Sequence, residues 1–220
     1  MEKYLSWATE TISDFSEQNI NTMYNRGFVF TRIGHAVMQQ TRSLRIDLAK
    51  FEPSSENRRI LKKVENLDIK INTIPYIEYN WQIGKIAKDF YDTKFAKGVF
   101  SANKVKELLT NKEKSNFNYF ITYSLENEMV GYAICYANSK ILHYSYPFYG
   151  LSKNNTLNNI GMGMIIKAIQ HSKEKKLKFF YLGSAQRPSD KYKLQFKGLE
   201  WFDGENWSED LEKLKHALSS

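Results

Sequence analysis

Three strand-like runs, a long amphipathic helix and a short apolar run follow one another between residues 119 and 182, and this order restricts the fold more than any other feature of the chain. Residues 119–124, 129–137 and 141–146 are rich in β-branched and aromatic side chains. Between them lie Glu126-Asn127-Glu128 and Asn138-Ser139, residue types of tight turns. They predict an antiparallel meander. Leu157, Ile160, Met164, Ile165, Ala168 and Ile169 then recur at helical spacing, and residues 179–182 form a short buried strand. A helix between two strands of one sheet implies a parallel, right-handed crossover. The predicted fold class is therefore α/β (α+β), with a mixed sheet that combines an antiparallel meander with a parallel β-α-β unit.

The rest of the chain supplies further elements but no linker and no repeat. Leu5, Ala8, Ile12 and Phe15 fit helical spacing, so one or two helices are expected before Gly27 breaks the pattern. Residues 28–51 read as two strands, with Leu44, Ile46 and Leu48 on one face. Ser54 can cap a helix whose buried stripe is Ile60, Leu61, Val64 and Leu67. A strand over 67–74, helices over 83–91 and 103–109, a hairpin at Asp203-Gly204 and a terminal helix complete the prediction. One domain over residues 1–220 is expected, with 1–75 as an N-terminal extension and 76–220 as its core.

Composition narrows the function classes. A hydrophobic fraction of 42% with only four prolines excludes a disordered or collagen-like chain. No apolar stretch approaches the roughly 20 residues that cross a bilayer, and the first residues lack a signal pattern, so a cytoplasmic protein without a membrane partner is expected. The single cysteine, Cys135, lies in an apolar run and predicts a packed core thiol, with neither a disulfide nor a cysteine-based metal site. The net charge of +8 favours anionic partners such as nucleic acid, nucleotide phosphates or acidic peptides, although abundant Lys, Asn and Ile also arise from genome base composition.

The segment Asn158-Asn159-Ile160-Gly161-Met162-Gly163 opens the long helix. Glycines there let backbone N–H groups reach phosphate oxygens, and they equally permit close packing of the helix. Strands, loop, this segment, helix and parallel strand together resemble the motif order of the GCN5-related N-acetyltransferase fold. The resemblance implies acetyl-CoA as donor, its pyrophosphate held at Asn158, Gly161 and Gly163. Asn158 stands where that family usually has Gln or Arg.

Further segments carry a closer resemblance: Arg32-Ile33-Gly34, then Thr41-Arg42-Ser43-Leu44-Arg45-Ile46-Asp47, then Phe51-x-Pro53-Ser54-x-x-Asn57-Arg58-Arg59. Phe180-Tyr181-Leu182-Gly183 and Tyr192-Lys193-x-x-Phe196 follow in the C-terminal half. In order and spacing these resemble the aminoacyl-tRNA–protein transferases, the arginyl- and leucyl-transferases that modify acidic protein N-termini, over roughly residues 20 to 205. The resemblance implies aminoacyl-tRNA as donor, a protein or peptide N-terminus as acceptor, and no other cofactor. It makes Arg32, Arg42, Arg45, Arg58, Arg59, Tyr192 and Lys193 candidates for substrate or RNA binding. The cysteines usual in that family's N-terminal region are replaced here by Met38-Gln39-Gln40-Thr41, so no metal or cluster is expected.

Aminoacyl transfer requires a neutral amine aligned with an activated ester and a stabilised tetrahedral oxyanion. Tyr144 and Tyr146 are the candidates for handling the departing proton, while alternating aromatics are also what strand packing produces. His143 faces the other way. No Asp or Glu lies between Lys140 and Thr156, so substrate or water is left to take the proton. Arg58 and Arg59 suit carboxylate or phosphate, or form a solvated helix face. Lys191, Lys193 and Lys197, interleaved with Tyr192 and Phe196, suit an RNA end, or form a basic surface strand. The leading expectation is transfer from charged tRNA to an α-amine. The alternatives are an acetyl-CoA-dependent N-acetyltransferase and a non-catalytic tRNA- or peptide-binding relative.

Overall fold

The computed structural model describes residues 5–151 and 159–219. In chain order its elements are β1 (Ala8–Thr11), α1 (Glu17–Asn25), β2 (Phe28–Phe30), β3 (Val37–Gln40), β4 (Ser43–Asp47), α2 (Ser55–Lys63), β5 (Leu67–Thr73), α3 (Trp81–Lys94), α4 (Ala102–Thr110), β6 (Tyr119–Leu125), β7 (Glu128–Ala137), β8 (Ile141–Tyr149), α5 (Ile160–Glu174), β9 (Phe179–Ser184), β10 (Leu199–Phe202), β11 (Trp207–Ser208) and α6 (Leu211–Ala217). A 3-10 helix, Pro188–Gln195, follows β9. Helix starts are set by capping side chains: Ser16, Asn80, Ser101 and Asp210 each accept a first-turn N–H of α1, α3, α4 and α6. The helix α5 stops where Lys176 adopts φ +58 and the Leu177 N–H returns to the Ser172 carbonyl.

The chain divides into two compact units. The first holds residues 5–54, 137–144 and 171–219. One antiparallel sheet in it has the order β1-β3-β2. A second runs β11-β10-β4-β9 and then the first half of β8. Its pairs are antiparallel except β8 with β9, which are parallel with Ile141 opposite Phe179 and His143 opposite Tyr181. The parallel pair is the one that α5 connects in sequence, so the sheet is mixed, as the strand-helix-strand order predicts. Tyr24, Phe28, Met38, Leu44, Ile46, Phe180 and Tyr181 are the bulk of this unit's core.

Three local expectations fail in this unit. Residues 28–51 hold three strands, β2, β3 and β4, where two were expected. Ala8–Thr11 is not helical but pairs with β3, Ala8 opposite Gln40 and Thr11 opposite Val37. A four-residue strand is too short for its period to compete with the helical spacing of Leu5, Ala8, Ile12 and Phe15. The segment around Lys193 is a 3-10 helix and not a strand. Pro188 sits in its first turn, and the Asp190 carboxylate accepts the Gln186 and Arg187 N–H groups at 2.9 and 3.1 Å.

The second unit holds residues 55–136, 145–151 and 159–170. Here β5, β6 and β7 form an antiparallel meander, Ile71 opposite Ile121 and Ile121 opposite Ala133, and the second half of β8 lies next to β7. Phe120, Tyr132 and Phe148 stack in sequence at 5.5 and 5.3 Å. The Tyr123 hydroxyl donates to the Met164 carbonyl at 3.1 Å, tying α5 to the meander. Ile60, Val64 and Leu67 of the expected stripe at α2 are buried while Leu61 is half-exposed, and Val105, Leu108 and Leu109 are the buried side of α4.

Candidate functional site

In the first unit the arginine strand and the final core strand meet. Between Leu44 and Arg45 the pairing of β4 with β9 shifts by one residue, and Gly183 takes φ +73 there. Past the shift Arg45 stands opposite Tyr181, so both side chains leave the sheet on one face, with Phe179 two residues along. Arg45 is 9% exposed, and its guanidinium lies 4.0 Å from the Phe179 ring centre and 3.9 Å from that of Trp207. Its Nε donates to Glu200 at 2.7 Å and its Nη1 to the Asn25 side-chain oxygen at 3.2 Å. Asn25 also accepts the Trp207 indole N–H on its carbonyl at 2.7 Å. The planar fork can satisfy two acceptors while both faces remain stacked on rings, a combination lysine cannot reproduce.

Behind this cluster the Tyr24 hydroxyl lies 2.9 Å from Nδ1 of His143, and Tyr24 meets Tyr181 edge to face at 4.9 Å. Burial, with a smaller push from the Lys193 charge, lowers the His143 pKa to about 3, so its imidazole is neutral at physiological pH. Burial likewise raises the Tyr181 phenol to about 12, against an opposing pull from Arg45. The Tyr181 hydroxyl has no hydrogen-bond partner among the described residues. Tyr144, one residue after His143, is 2% exposed and packs on Phe180.

The other candidates of this unit are dispersed. Arg32 is half-buried in the turn between β2 and β3. Arg42 Nη1 donates to the Ala217 carbonyl at 3.4 Å, its Nε is buried without a partner among the described residues, and burial lowers its pKa. Tyr192 is 46% exposed, whereas Lys193 turns inward to the Ser184 carbonyl at 2.8 Å and Asp190 at 3.3 Å.

In the second unit, Gly161 and Gly163 occupy the first turn of α5, and Asn158 lies outside the described residues. The Gly163 N–H is bonded to the Asn159 carbonyl at 2.9 Å. A Cβ on Gly161 would come 2.9 Å from the Tyr149 ring, and one on Gly163 would come 2.8 Å from Val64. Both glycines therefore permit close approach of the helix. Arg58 and Arg59 are exposed on α2, and Glu56 holds Arg59 bidentately at 2.6 and 2.5 Å. Tyr146 is half-buried, edge-on to Phe100 and Phe117.

Sequence reasoning missed Asn25, Glu200 and Trp207 as partners of Arg45. Only the hairpin Asp203-Gly204 hinted that Trp207 folds back toward β10, where it stands opposite Phe202. Among the described residues no cluster of His, Cys, Asp and Glu could hold a metal, and no helix is long and apolar enough to cross a membrane.

No protein-family model matches the chain. Among curated proteins, the chain is 25% identical over 210 residues to an aspartate/glutamate leucyltransferase of Ruegeria sp. (strain TM1040), a match that covers 91% of this chain and 75% of that protein. Among solved structures, L-PGS from Bacillus licheniformis superposes with a TM-score of 0.49 at 14% identity, over 77% of this chain and 52% of its own. The C-terminal domain of a lysylphosphatidylglycerol synthetase from Agrobacterium fabrum gives 0.47 at 12% identity, over 77% and 52%. An aminoglycoside acetyltransferase from an uncultured soil metagenomic sample gives 0.39 at 17% identity, over 59% and 84%. The match spans about half the length of the first two of these structures.

Proposed function

We propose that the chain is an acyltransferase that moves an aminoacyl group from a charged tRNA onto the α-amine of a protein or peptide whose N-terminal residue is acidic. The observation that carries this reading is the sequence match to an aspartate/glutamate leucyltransferase, which extends over 91% of the chain. The mixed sheet with its parallel crossover and helix-opening glycines supports the acyl-transfer class.

In the reaction the acceptor nitrogen attacks the ester carbonyl of the aminoacyl group, a C–N bond forms, and the bond to the tRNA ribose oxygen breaks. The nitrogen loses a proton and the ribose oxygen gains one, so no net acid or base is consumed. His143, neutral down to about pH 3, is a poor base for this proton, and substrate or water carries it. Of the two tyrosines, Tyr146 is assigned the relay, because it keeps partial exposure whereas Tyr144 is 2% exposed. The Asn158 to Gly163 segment is assigned to the donor, since the first-turn N–H groups of a helix carry partial positive charge. Gly163 serves it by packing, its own N–H being taken by Asn159. The exposed guanidinium of Arg58 is assigned to an acidic acceptor residue, with Arg59 adding positive charge beside it while Glu56 occupies its own fork.

The test is incubation of the purified chain with a mixture of labelled aminoacyl-tRNAs and peptides beginning with Asp, Glu or Ala. Label moving to the acidic peptides supports the reading. Label staying on tRNA, while acetyl-CoA acetylates the same peptides, overturns it in favour of N-acetyl transfer, the second reading that the helix-opening glycines favour.

A further inference from the structure

A cavity in the first unit, of about 260 Å³, gathers side chains from three places in the sequence. Asn21 and Asn25 reach it from successive turns of α1, Lys140 from just before β8, Lys176 and Lys178 from the link between α5 and β9, and Phe179 from the first position of β9. None of the candidates discussed above includes these lysines. All three are exposed, and among the described residues none forms an ion pair. No carboxylate is among the described residues that line the cavity, and Ser139, which does line it, donates its hydroxyl and N–H to Glu17 at 2.5 and 3.4 Å.

The backbone beneath the lysines is fixed. The Lys178 and Phe179 N–H groups both donate to the Lys140 carbonyl, at 2.7 and 3.2 Å, and Lys176 occupies the left-handed residue that closes α5. Asn25 is held by Arg45, and Phe179, the apolar side of the cavity, is stacked under the same guanidinium. Three ammonium groups without ion-pair partners around a concave, partly apolar surface concentrate positive potential there. Compact ammonium charges with amide donors beside them suit phosphate oxygens, and the volume admits a phosphate with the sugar that carries it.

We propose that this cavity seats a backbone phosphate and its ribose from the RNA donor, an inference that rests on the tRNA-dependent reading above. It is tested by measuring the affinity of the full chain for deacylated tRNA from about 50 to 200 mM salt. The triple variant Lys140→Gln, Lys176→Gln, Lys178→Gln is compared with Lys106→Gln, Lys112→Gln, Lys114→Gln, which removes the same charge elsewhere on the exposed surface. Circular dichroism establishes that both fold. The expected result is a salt slope shallower by about one for the cavity variant only, since one phosphate contact is lost. Equal changes in both variants, or none in the cavity variant, overturn the proposal. If tRNA supports transfer but binding ignores the cavity lysines, the cavity fails and the donor reading stands. If the cavity lysines govern RNA binding and no transfer occurs, the reverse holds. A chain that binds no tRNA sinks both.

Discussion

The Tyr24 hydroxyl and Nδ1 of His143 lie 2.9 Å apart across 119 positions of sequence, joining α1 to β8 inside the first unit. Replacing Tyr24 with Phe removes one partner of a fully buried imidazole. The expected cost is about 1 to 3 kcal/mol of unfolding free energy, read from urea denaturation.

The same histidine makes stability depend on acidity. The unfolded chain takes up this proton near pH 6.5, and the folded chain only near pH 3. Between those values the unfolded state binds more protons, so stability rises with pH and is lost as the solution is acidified from 6.5 toward 3. The slope from one such group is at most about 1.4 kcal/mol per pH unit. In His143→Gln that contribution disappears, and urea midpoints between about pH 4 and 6 should flatten by up to that amount. An unchanged slope would show that His143 titrates normally.

Arg45 and Glu200 have side chains 10% and 13% exposed, so removing one leaves the other's charge nearly buried. Arg45→Ala is expected to cost about 3 to 5 kcal/mol. The double variant Arg45→Met, Glu200→Leu should recover much of this loss. Arg45→Lys should fall between, since an ammonium cannot hold Glu200 and Asn25 while stacked between Phe179 and Trp207.

Gly163→Ala gains helix propensity of about 1 kcal/mol, yet its methyl would press on Val64 at 2.8 Å. Overpacking of this kind costs about 1 to 3 kcal/mol, so net destabilisation is expected, with relief when Val64→Ala is added. If Gly163→Ala alone stabilises, the close-packing role is wrong.

Cys135 is fully buried, and burial pushes its thiol pKa up. Iodoacetamide at neutral pH should leave it unmodified in the native chain and alkylate it in denaturant, as mass spectrometry would show.

The sequence made the central elements legible because their periods are long enough to read. The seven residues of β5 alternate, β6 and β7 are long runs of apolar and aromatic side chains, and the fifteen residues of α5 carry helical spacing. Short elements were not legible: β1, with four residues, and the 3-10 helix around Lys193 are decided by pairing with β3 and by the Asp190 cap. The arginines could be selected from the sequence, but their surroundings could not. Arg45 and Arg59 look alike in the chain, yet the first is sealed between two rings and the second lies in solvent beside Glu56. Contacts such as Arg45 to Glu200, 155 residues apart, leave no local trace.

The central claim, aminoacyl rather than acetyl transfer, is tested most directly by a competition read by intact mass. A peptide beginning with Asp or Glu is incubated with the chain, a full set of charged tRNAs and acetyl-CoA together. A product heavier by one amino-acid residue at its N-terminus is the predicted outcome. A product carrying only an acetyl group would contradict the account.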